Sequence, residues 1–190
     1  MATHLRLLRP DDIDAVAALT NTFIRDTAVH FGSTPMTAAD VETAWRAAHD
    51  GVRYPWLVVE QDGAYAGYAK GSSWRGRPAY AWTVETTIYL VPARRGQGLG
   101  RLLYGRLLDV LKAQGFRSAI GGITLPNEAS VRLHEAVGFR PCGVVRDAGC
   151  KFGRWHDVGF WQCRLRSDAT AGAPLRTPED AFAVTAGTAR

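Results

Sequence analysis

The sequence predicts a mixed α/β domain, with a central sheet of six to seven strands flanked by about four helices. Apolar residues recur at the helical period over residues 99–114, and short apolar or alternating runs bounded by turn signals recur on both sides of that stretch. The predicted order is β-α-α-β-β-β-α-β-α-β-β. A three-stranded meander followed by strand–helix–strand crossovers places helices against a mixed sheet.

The first half of the chain supplies one strand, two helices and the meander. The first helix begins at Pro10, where Asp11 and Asp12 can accept from free N–H groups, and the second begins at Thr37 with a capping aspartate at Asp40. Asp62-Gly63 is a hairpin signal, and Pro92 ends the last strand of the meander. The predicted bounds are 4–9, 56–60, 64–74 and 80–91 for the strands and 37–51 for the second helix.

The second half alternates strands and helices. Leucines mark one face of the long helix and Gly115 follows as its C-cap, while Gly138 closes a shorter helix. The predicted bounds are 99–114 and 127–137 for the helices and 118–125, 139–145 and 156–165 for the strands.

Length and composition favour one ordinary globular domain. The chain has 190 residues, 46% hydrophobic and 22% charged, and no apolar run approaches the roughly 18 residues that span a bilayer. The first residues lack the apolar core of a secretory signal, and the three cysteines form no CxxC pair. We therefore expect a cytoplasmic protein without a metal site and without a membrane partner.

The composition changes near residue 166. Residues 166–190 are rich in Ala, Thr, Gly and Pro, so we predict a domain over 1–165 and a C-terminal tail that is weakly structured or packed on a partner subunit. The tail carries three Arg and three acids, so the net charge of +5 belongs to residues 1–165. Such a charge suits an anionic partner: nucleic acid, a membrane or a phosphorylated small molecule.

A glycine-rich turn follows the last meander strand and opens the long helix. It reads RRGQGLGR over residues 94–101. The first N–H groups of a helix have no internal partner and the glycines let a phosphate approach, so an anion site is predicted; glycines that merely turn the chain are the alternative. The spacing fits neither a P-loop nor a dinucleotide fingerprint, which leaves [RQ]-x-x-G-x-[GA] at Arg95, Gly98 and Gly100.

With PNEASVRLHEAVGF about 30 residues further on, this turn resembles the GCN5-related N-acetyltransferase (GNAT) superfamily. The runs RYPWLVVE, WTVETTIYL and, above all, KFGRWHDVGFWQ at 151–162 are similar to the phosphinothricin and methionine sulfoximine acetyltransferases of that superfamily. The resemblance spans residues 5–165. It implies the GNAT fold and transfer of acetyl from acetyl-CoA to the α-amino group of a small amino acid, with herbicide resistance as one outcome.

The resemblance also implies which residues hold acetyl-CoA. The strand backbone at 88–90 would pair with the pantetheine and polarise the thioester, and the turn would hold the pyrophosphate. Asn127 would contact the pantetheine, although Asn at a helix start is also a plain N-cap. The cofactor residues are then Ile88, Tyr89, Leu90, Arg95, Gly96, Gln97, Gly98, Leu99, Gly100, Arg101 and Asn127.

Two side chains are candidates for proton transfer. Glu85 is the only acid between Gly63 and Leu90, and an acid in an apolar strand is costly to bury unless it is functional or paired; the resemblance implies a general base there. The alternatives are a solvated carboxylate or one paired with Arg75 or Arg77. His134 stands where many relatives have a tyrosine acid, so it is expected either to protonate the thiolate or simply to pack.

The acceptor region carries cations and no acid. Lys70, Arg75 and Arg77 lie between Gly63 and Val84, which disfavours a polyamine and suits an anionic amino acid clamped by arginines; a solvated turn is the alternative. Phe31 and Tyr80 would wall the pocket. The predicted acceptor residues are Phe31, Arg75, Arg77, Tyr80, Glu85, Thr86 and Thr87.

The resemblance implies a homodimer, in which Lys151, His156 and Asp157 could reach a pocket across the interface. The structural alternative is a hairpin fixed by packing of Trp155, with Lys151 and Asp157 paired. Other functions stay open: acetylation of another small amine or of a protein N-terminus, and a silent CoA-binding module. A nucleic-acid partner is not expected, because the basic residues cluster at the turn and its helix rather than in a stripe with aromatics.

Overall fold

Seven strands form one mixed sheet, and the computed structural model places helices on both of its faces. It describes residues 2–49, 54–167 and 172–186. The strands are β1 (Thr3–Leu7), β2 (Trp56–Gln61), β3 (Ala64–Ser73), β4 (Thr83–Leu90), β5 (Ser118–Leu125), β6 (Arg140–Lys151) and β7 (Arg154–Arg164). The helices are α1 (Ile13–Asp26), α2 (Ala38–His49), α3 (Leu99–Gln114), α4 (Glu128–Ala136) and α5 (Pro178–Ala186). The predicted mixed α/β class is confirmed.

The sheet order is β1-β2-β3-β4-β5-β7-β6, and only β4 and β5 run parallel. Their pairing covers three positions and stops at Glu85 opposite Ile120, although β4 continues to Leu90 and β5 to Leu125. The neighbouring pairs, β3 with β4 and β5 with β7, remain in register over their whole length. The sheet therefore splits between its two central strands.

Alternation along the strands separates two cores. On β2, Leu57 and Val59 face the cluster built around α3, while Trp56 and Val58 face the cluster built around α1 and α2. All four of these side chains are buried. Because successive residues of a strand point to opposite faces, the sheet has two distinct faces, the α3 face and the α1 face, named after the helices that cover them.

Local signals fixed several bounds. The bounds 99–114 and 118–125 are confirmed, and Gly115 ends α3 in the left-handed conformation at φ 109°. Asp62 and Gly63 make the predicted hairpin turn at φ 52° and 77°. The strand predicted from residue 80 starts only at Thr83, because Pro78–Tyr80 form a single 3-10 turn. The predicted helix end at Gly51 lies outside the described residues.

The end of the chain was not anticipated. Residues 178–186 form α5, which packs on α3 of the same chain: Ala181 is fully buried, and the guanidinium of Arg106 lies 4.2 Å from the ring centroid of Phe182. Gln114 and Arg176 exchange hydrogen bonds at 2.9 and 3.0 Å. Residues 178–186 thus form a helix that packs on α3 of the same chain; contact of the tail with a partner subunit stays a prediction.

The described residues contain neither a membrane-spanning helix nor a cluster of metal ligands. None of their helices is long and apolar enough to cross a membrane. None of their His, Cys, Asp and Glu side chains gather in a group of three that could hold a metal ion.

Candidate active site

The split between β4 and β5 is the centre of the candidate site. Beyond Glu85, the backbone edge of β4 over 86–90 has no strand opposite it, and beyond Ile120 the same holds for β5, within the described chain. An edge of this kind presents free N–H and C=O groups that an extended amide-bearing ligand can pair with. Ile88 and Tyr89 turn their side chains into the two cores, so only their main chain faces the split, as expected.

Glu85 lies at the fork on the α1 face and is half-buried. Burial raises the pKa of its carboxyl, and the positive charge of Lys70 counteracts part of that rise. Glu85 forms no ion pair with any residue that the structure describes, so the alternative of a partner in Arg75 or Arg77 is not seen. A carboxylate of raised pKa, half-buried and free of a counter-ion, is suited to accepting a proton.

Aromatic side chains link Glu85 to the predicted arginine clamp. A methyl group added at Gly122 would lie 3.7 Å from Oε1 of Glu85 and 3.5 Å from the Phe160 ring, so both side chains border the same space. Phe160 meets Trp74 edge-on at 5.6 Å between ring centroids. The guanidinium of Arg75 lies 5.4 Å from the Trp74 ring and 5.8 Å from the Tyr80 ring.

Phe160 and Trp74 thus form a wall that sequence reasoning missed. Phe160 lay in the unusual run at 151–162, and its position opposite Gly122 on β5 could not be read locally. Arg77 is exposed beyond this wall. Phe31 lies 6.2 Å from the His156 ring and against Gly149, where an added methyl group would clash with it; its place in the acceptor pocket stays a prediction. The clamp at Arg75 and Arg77 remains a prediction.

The side chain of Thr86 lies on the face of the sheet opposite to Glu85. Its side chain points to the α3 face and is 4% exposed, and its hydroxyl lies 2.7 Å from the Tyr104 hydroxyl and 3.1 Å from the carbonyl oxygen of Ile120. Thr87, two positions from Glu85, shares its face. Thr86 is therefore placed in a hydrogen-bond chain behind the fork, because a one-residue step along a strand reverses the face.

His134 ends that chain. Its Nε2 lies 2.9 Å from the Tyr104 hydroxyl, and its Nδ1 lies 2.8 Å from the carbonyl oxygen of Ser130. The imidazole is 4% exposed, and burial lowers its pKa. Burial likewise raises the pKa of the Tyr104 hydroxyl, so the pair is neutral at neutral pH. His134 and Glu85 thus lie on opposite faces of the sheet.

Two adjacent glycines of β5 make room for these groups. A methyl group at Gly121 would lie 2.5 Å from two ring atoms of His134, whereas Gly122 borders Glu85 on the other face. Neither glycine was singled out from the sequence. Glycine inside a strand marks a place of close approach, and the pair in AIGGITL was the signal available.

Two side chains of the glycine-rich turn form hydrogen bonds with β2, whereas the backbone N–H groups of residues 96–100 form none within the described chain. Gly96 and Gly98 take left-handed conformations at φ 76° and 79°, and Gly98 is the N-cap of α3. The side chains of Arg94 and Gln97 both bond to Gln61 of β2 at 3.0 Å. Within the described chain, no hydrogen bond uses the N–H groups of 96–100. An anion bound here would therefore meet the backbone.

Of the remaining residues predicted to bind acetyl-CoA, two are arginines on the surface of the turn and two have a structural role in packing or capping. Arg95 is exposed and lies 5.2 Å from the Phe23 ring, and Arg101 lies in the first turn of α3. Gly100 is a packing position, because a methyl group there would crowd Leu133 and Leu90 at 3.3 and 3.4 Å. The side chain of Asn127 caps α4 by accepting from the N–H of Ser130. The N-cap role is confirmed; contact with pantetheine stays a prediction.

The β6–β7 hairpin departs from the predicted pairing. Asp157 binds Arg146 at 2.5 Å, while the Lys151 ammonium donates to the carbonyls of Ile24 and His30, 2.6 and 2.5 Å away. The predicted Lys151–Asp157 pair is therefore wrong, since Lys151 instead secures the end of α1. Trp155 is 66% exposed, so it does not fix the hairpin by packing within this chain.

Comparison with known proteins places this geometry in a family. The family model described as an acetyltransferase (GNAT) domain matches residues 5–159. A phosphinothricin N-acetyltransferase of Streptomyces viridochromogenes is 46% identical over 151 residues, which cover 80% of this chain and 81% of the relative. An L-methionine sulfoximine/L-methionine sulfone acetyltransferase of Salmonella typhimurium is 40% identical over 134 residues, covering 70% and 78%.

Solved structures agree. A phosphinothricin acetyltransferase from Sinorhizobium meliloti in complex with AcCoA matches with a TM-score of 0.84 at 33% identity, over 92% of this chain and 94% of that one. A putative acetyltransferase from Salmonella typhimurium, solved with its cofactor acetyl-CoA, matches with a TM-score of 0.85 at 34% identity, over 91% and 99%. The fold is thus shared with two structures that hold acetyl-CoA, and this chain belongs to the GNAT acetyltransferase family.

Proposed function

We propose that this protein is an acetyl-CoA-dependent N-acetyltransferase acting on the α-amino group of small amino acids of the phosphinothricin or methionine sulfoximine kind. The observation that carries the proposal is the placement of Glu85, a carboxylate of raised pKa without a counter-ion, where β4 and β5 part. The names of the relatives support the acceptor class.

Acetyl-CoA would lie along the split. Its pyrophosphate would meet the N–H groups of the glycine-rich turn at the positive end of α3, and its pantetheine amides would pair with the free backbone edge of β4 over 88–90. The acetyl-CoA complexes of the structural neighbours support this placement. The same backbone N–H groups would stabilise the oxyanion that develops on the thioester oxygen.

The transfer would proceed by direct attack. Glu85 accepts a proton from the acceptor ammonium, and the neutral nitrogen attacks the thioester carbon. A C–N bond forms and the C–S bond breaks, and the proton that the attacking nitrogen loses on becoming an amide is taken up by the leaving thiolate. For His134 we predict either that it supplies that proton or that it packs; its burial and its hydrogen bonds on the α3 face support a role at the fork through Tyr104 and Thr86.

The acceptor would occupy the α1 face beside Glu85. Arg75 and Arg77 would hold its distal polar head, with Trp74, Phe160 and Tyr80 as walls. A homodimer would use the exposed β6–β7 hairpin, on which Val144, Val145, Phe152 and Trp155 leave about half or more of their surface in solvent. A cytoplasmic location and herbicide resistance remain part of the proposal.

The test is CoA release from acetyl-CoA with methionine sulfoximine and phosphinothricin as acceptors. We expect acceptor-dependent release, and a product acetylated on the α-nitrogen by mass spectrometry. Release that does not depend on any amino acid acceptor would contradict the proposal. Acetylation of peptide N-termini in preference to free amino acids would replace the acceptor class while keeping the transferase.

A further inference from the structure

Lys70 occupies the acceptor side of the sheet without an assigned role. It lies on β3, directly opposite Thr87 of β4, and its ammonium lies 4.2 Å from the ring centroid of Trp56. Trp56 belongs to the core of the α1 face, which is also the face of Glu85. Lys70 is half-buried, so its charge is partly withdrawn from water.

No anion neutralises this charge. Among the described residues, the Lys70 ammonium forms no ion pair and no hydrogen bond, and its recorded contact is with the Trp56 ring. Burial lowers its pKa to about 8, and the Glu85 charge, acting from beyond ion-pair distance, opposes that decrease. Burying a cation without a partner is costly, so a ligand that supplies an anion there would gain the interaction that the protein leaves unmade.

The other cations around the site are differently placed. Lys151 is committed to two backbone carbonyls, and Arg75 lies over the rings of Trp74 and Tyr80. Burial lowers the pKa of His30, and the charges of Lys151 and Lys70 lower it further. Lys70 is thus a half-buried cation on the α1 face with neither an ion pair nor a hydrogen bond among the described residues, whereas Arg77 is exposed to solvent.

Strand register puts Lys70 and the arginine turn (residues 75–77) on opposite sides of Glu85. Glu85 pairs with Ser72, and Lys70 pairs with Thr87, two residues or ~7 Å further along β4 toward the cofactor edge. The arginine turn follows the other end of β3, beyond Ser73 and Val84. An acceptor whose amine lies at Glu85 therefore meets one cationic site on each side.

We propose that Lys70 binds the α-carboxylate of the acceptor, while the arginine turn takes its distal polar head. This inference rests on the proposed function. In an α-amino acid the amine and the carboxylate share one carbon, so an acceptor with its amine beside Glu85 can turn its carboxylate toward Lys70, two residues along the sheet. The assignment makes Lys70 a specificity-determining residue that selects amino acids over simple amines.

The experiment compares two acceptors in two variants. Lys70→Met keeps an unbranched chain on Trp56 and removes the charge; Lys112→Met, an exposed position on α3, is the matched control. The acceptors are methionine sulfoximine and its α-carboxamide, which keeps the amine and the head but lacks the carboxylate. For Lys70→Met we expect KM for the acid to rise about tenfold to hundredfold, the loss expected for a charge-assisted hydrogen bond.

The same variant should leave KM for the carboxamide and KM for acetyl-CoA unchanged, and Lys70→Arg should restore most of the preference for the acid. If Lys70 had a merely structural role, Lys70→Met would raise KM for both acceptors equally, and that result would overturn the assignment. An unchanged KM for the acid would overturn it as well. If the unaltered enzyme acetylates no amino acid at all, the proposed function fails first and this assignment with it.

Discussion

The Tyr104 hydroxyl lies 2.9 Å from Nε2 of His134, and this contact is part of a buried chain of hydrogen bonds in which the proton positions can be assigned. A backbone carbonyl only accepts, so the 2.8 Å contact between Nδ1 and the Ser130 oxygen places the imidazole proton on Nδ1. Nε2 of the neutral ring must then accept, and Tyr104 must donate. The chain continues from Tyr104 through Thr86 to the Ile120 carbonyl at the fork.

The number of protons in this chain of hydrogen bonds, which runs from His134 to Ile120, suits it to proton transfer. With neutral His134, two hydroxyl protons serve three contacts, so Thr86 donates either to Tyr104 or to Ile120. With a proton on Nε2, His134 donates to Tyr104, Tyr104 to Thr86 and Thr86 to Ile120, and every contact contains one hydrogen. Burial opposes that extra charge. The chain therefore rests neutral and can take up a proton by reorienting two hydroxyls.

The tautomer is the first prediction. In the enzyme without ligands, His134 should be neutral at pH 7 with its proton on Nδ1, and it should titrate below the usual 6.5 because burial lowers its pKa. Nitrogen-15 NMR of the imidazole distinguishes the two nitrogens directly. The exposed His4 serves as the internal comparison. A proton found on Nε2 would contradict the assignment.

Removing the Tyr104 hydroxyl should leave Nε2 of His134 as a buried acceptor without a donor. We expect Tyr104→Phe to lower the free energy of unfolding by about 1–3 kcal/mol, measured by urea denaturation at pH 7. Tyr54→Phe is the matched control, because Tyr54 also stacks on a core phenylalanine, at 5.9 Å from Phe116. Equal stability of both variants would show that the hydroxyl contact is not important to the fold.

Glu85→Gln should remove the base and keep the shape. We expect kcat to fall by about 10²–10⁴-fold with KM for acetyl-CoA unchanged, since the carboxylate acts on the acceptor amine. Glu135→Gln, on α4, provides a control that leaves the α1 face intact. A loss of less than threefold would assign the proton transfer to another group.

The pH dependence of kcat/KM should report the ionisation of Glu85. Since burial raises its pKa, the acidic limb should have its midpoint above the usual value of 4.5, and activity should fall as pH decreases through that midpoint because the base becomes protonated. Lys70 lowers this pKa, so Lys70→Met should shift the limb to higher pH. A limb that is unchanged in that variant would exclude the electrostatic contribution of Lys70.

The features that the sequence alone predicted are the ones that depend on residues close together in the chain. The bounds of α3 follow from its leucine pattern and Gly115, and the strand–turn–helix around Gly98 follows from the glycines. Alternation alone could have placed Thr86 and Glu85 on opposite faces. The contact of Lys151 with Ile24 joins residues 127 positions apart, and the apolar residues of α5 show only a weak helical period, so neither could be inferred from local signals.

The adjacent glycines of β5 give the sharpest paired test. At Gly121, an added methyl group would lie 2.5 Å from Cδ2 and Nε2 of His134, so the imidazole must move and its contact with Tyr104 must break. At Gly122, the nearest atoms lie at 3.5 and 3.7 Å, which is ordinary contact with Phe160 and Glu85.

Gly121→Ala should therefore destabilise the fold by about 1–3 kcal/mol, as expected for overpacking. Gly122→Ala should leave stability within about 0.5 kcal/mol and raise KM for the acceptor alone, because the methyl group enters the space beside Glu85. Urea denaturation and steady-state kinetics of both variants measure the two effects. The reverse result, an unstable Gly122→Ala with a stable Gly121→Ala, would mean that the faces of β5 are assigned the wrong way round.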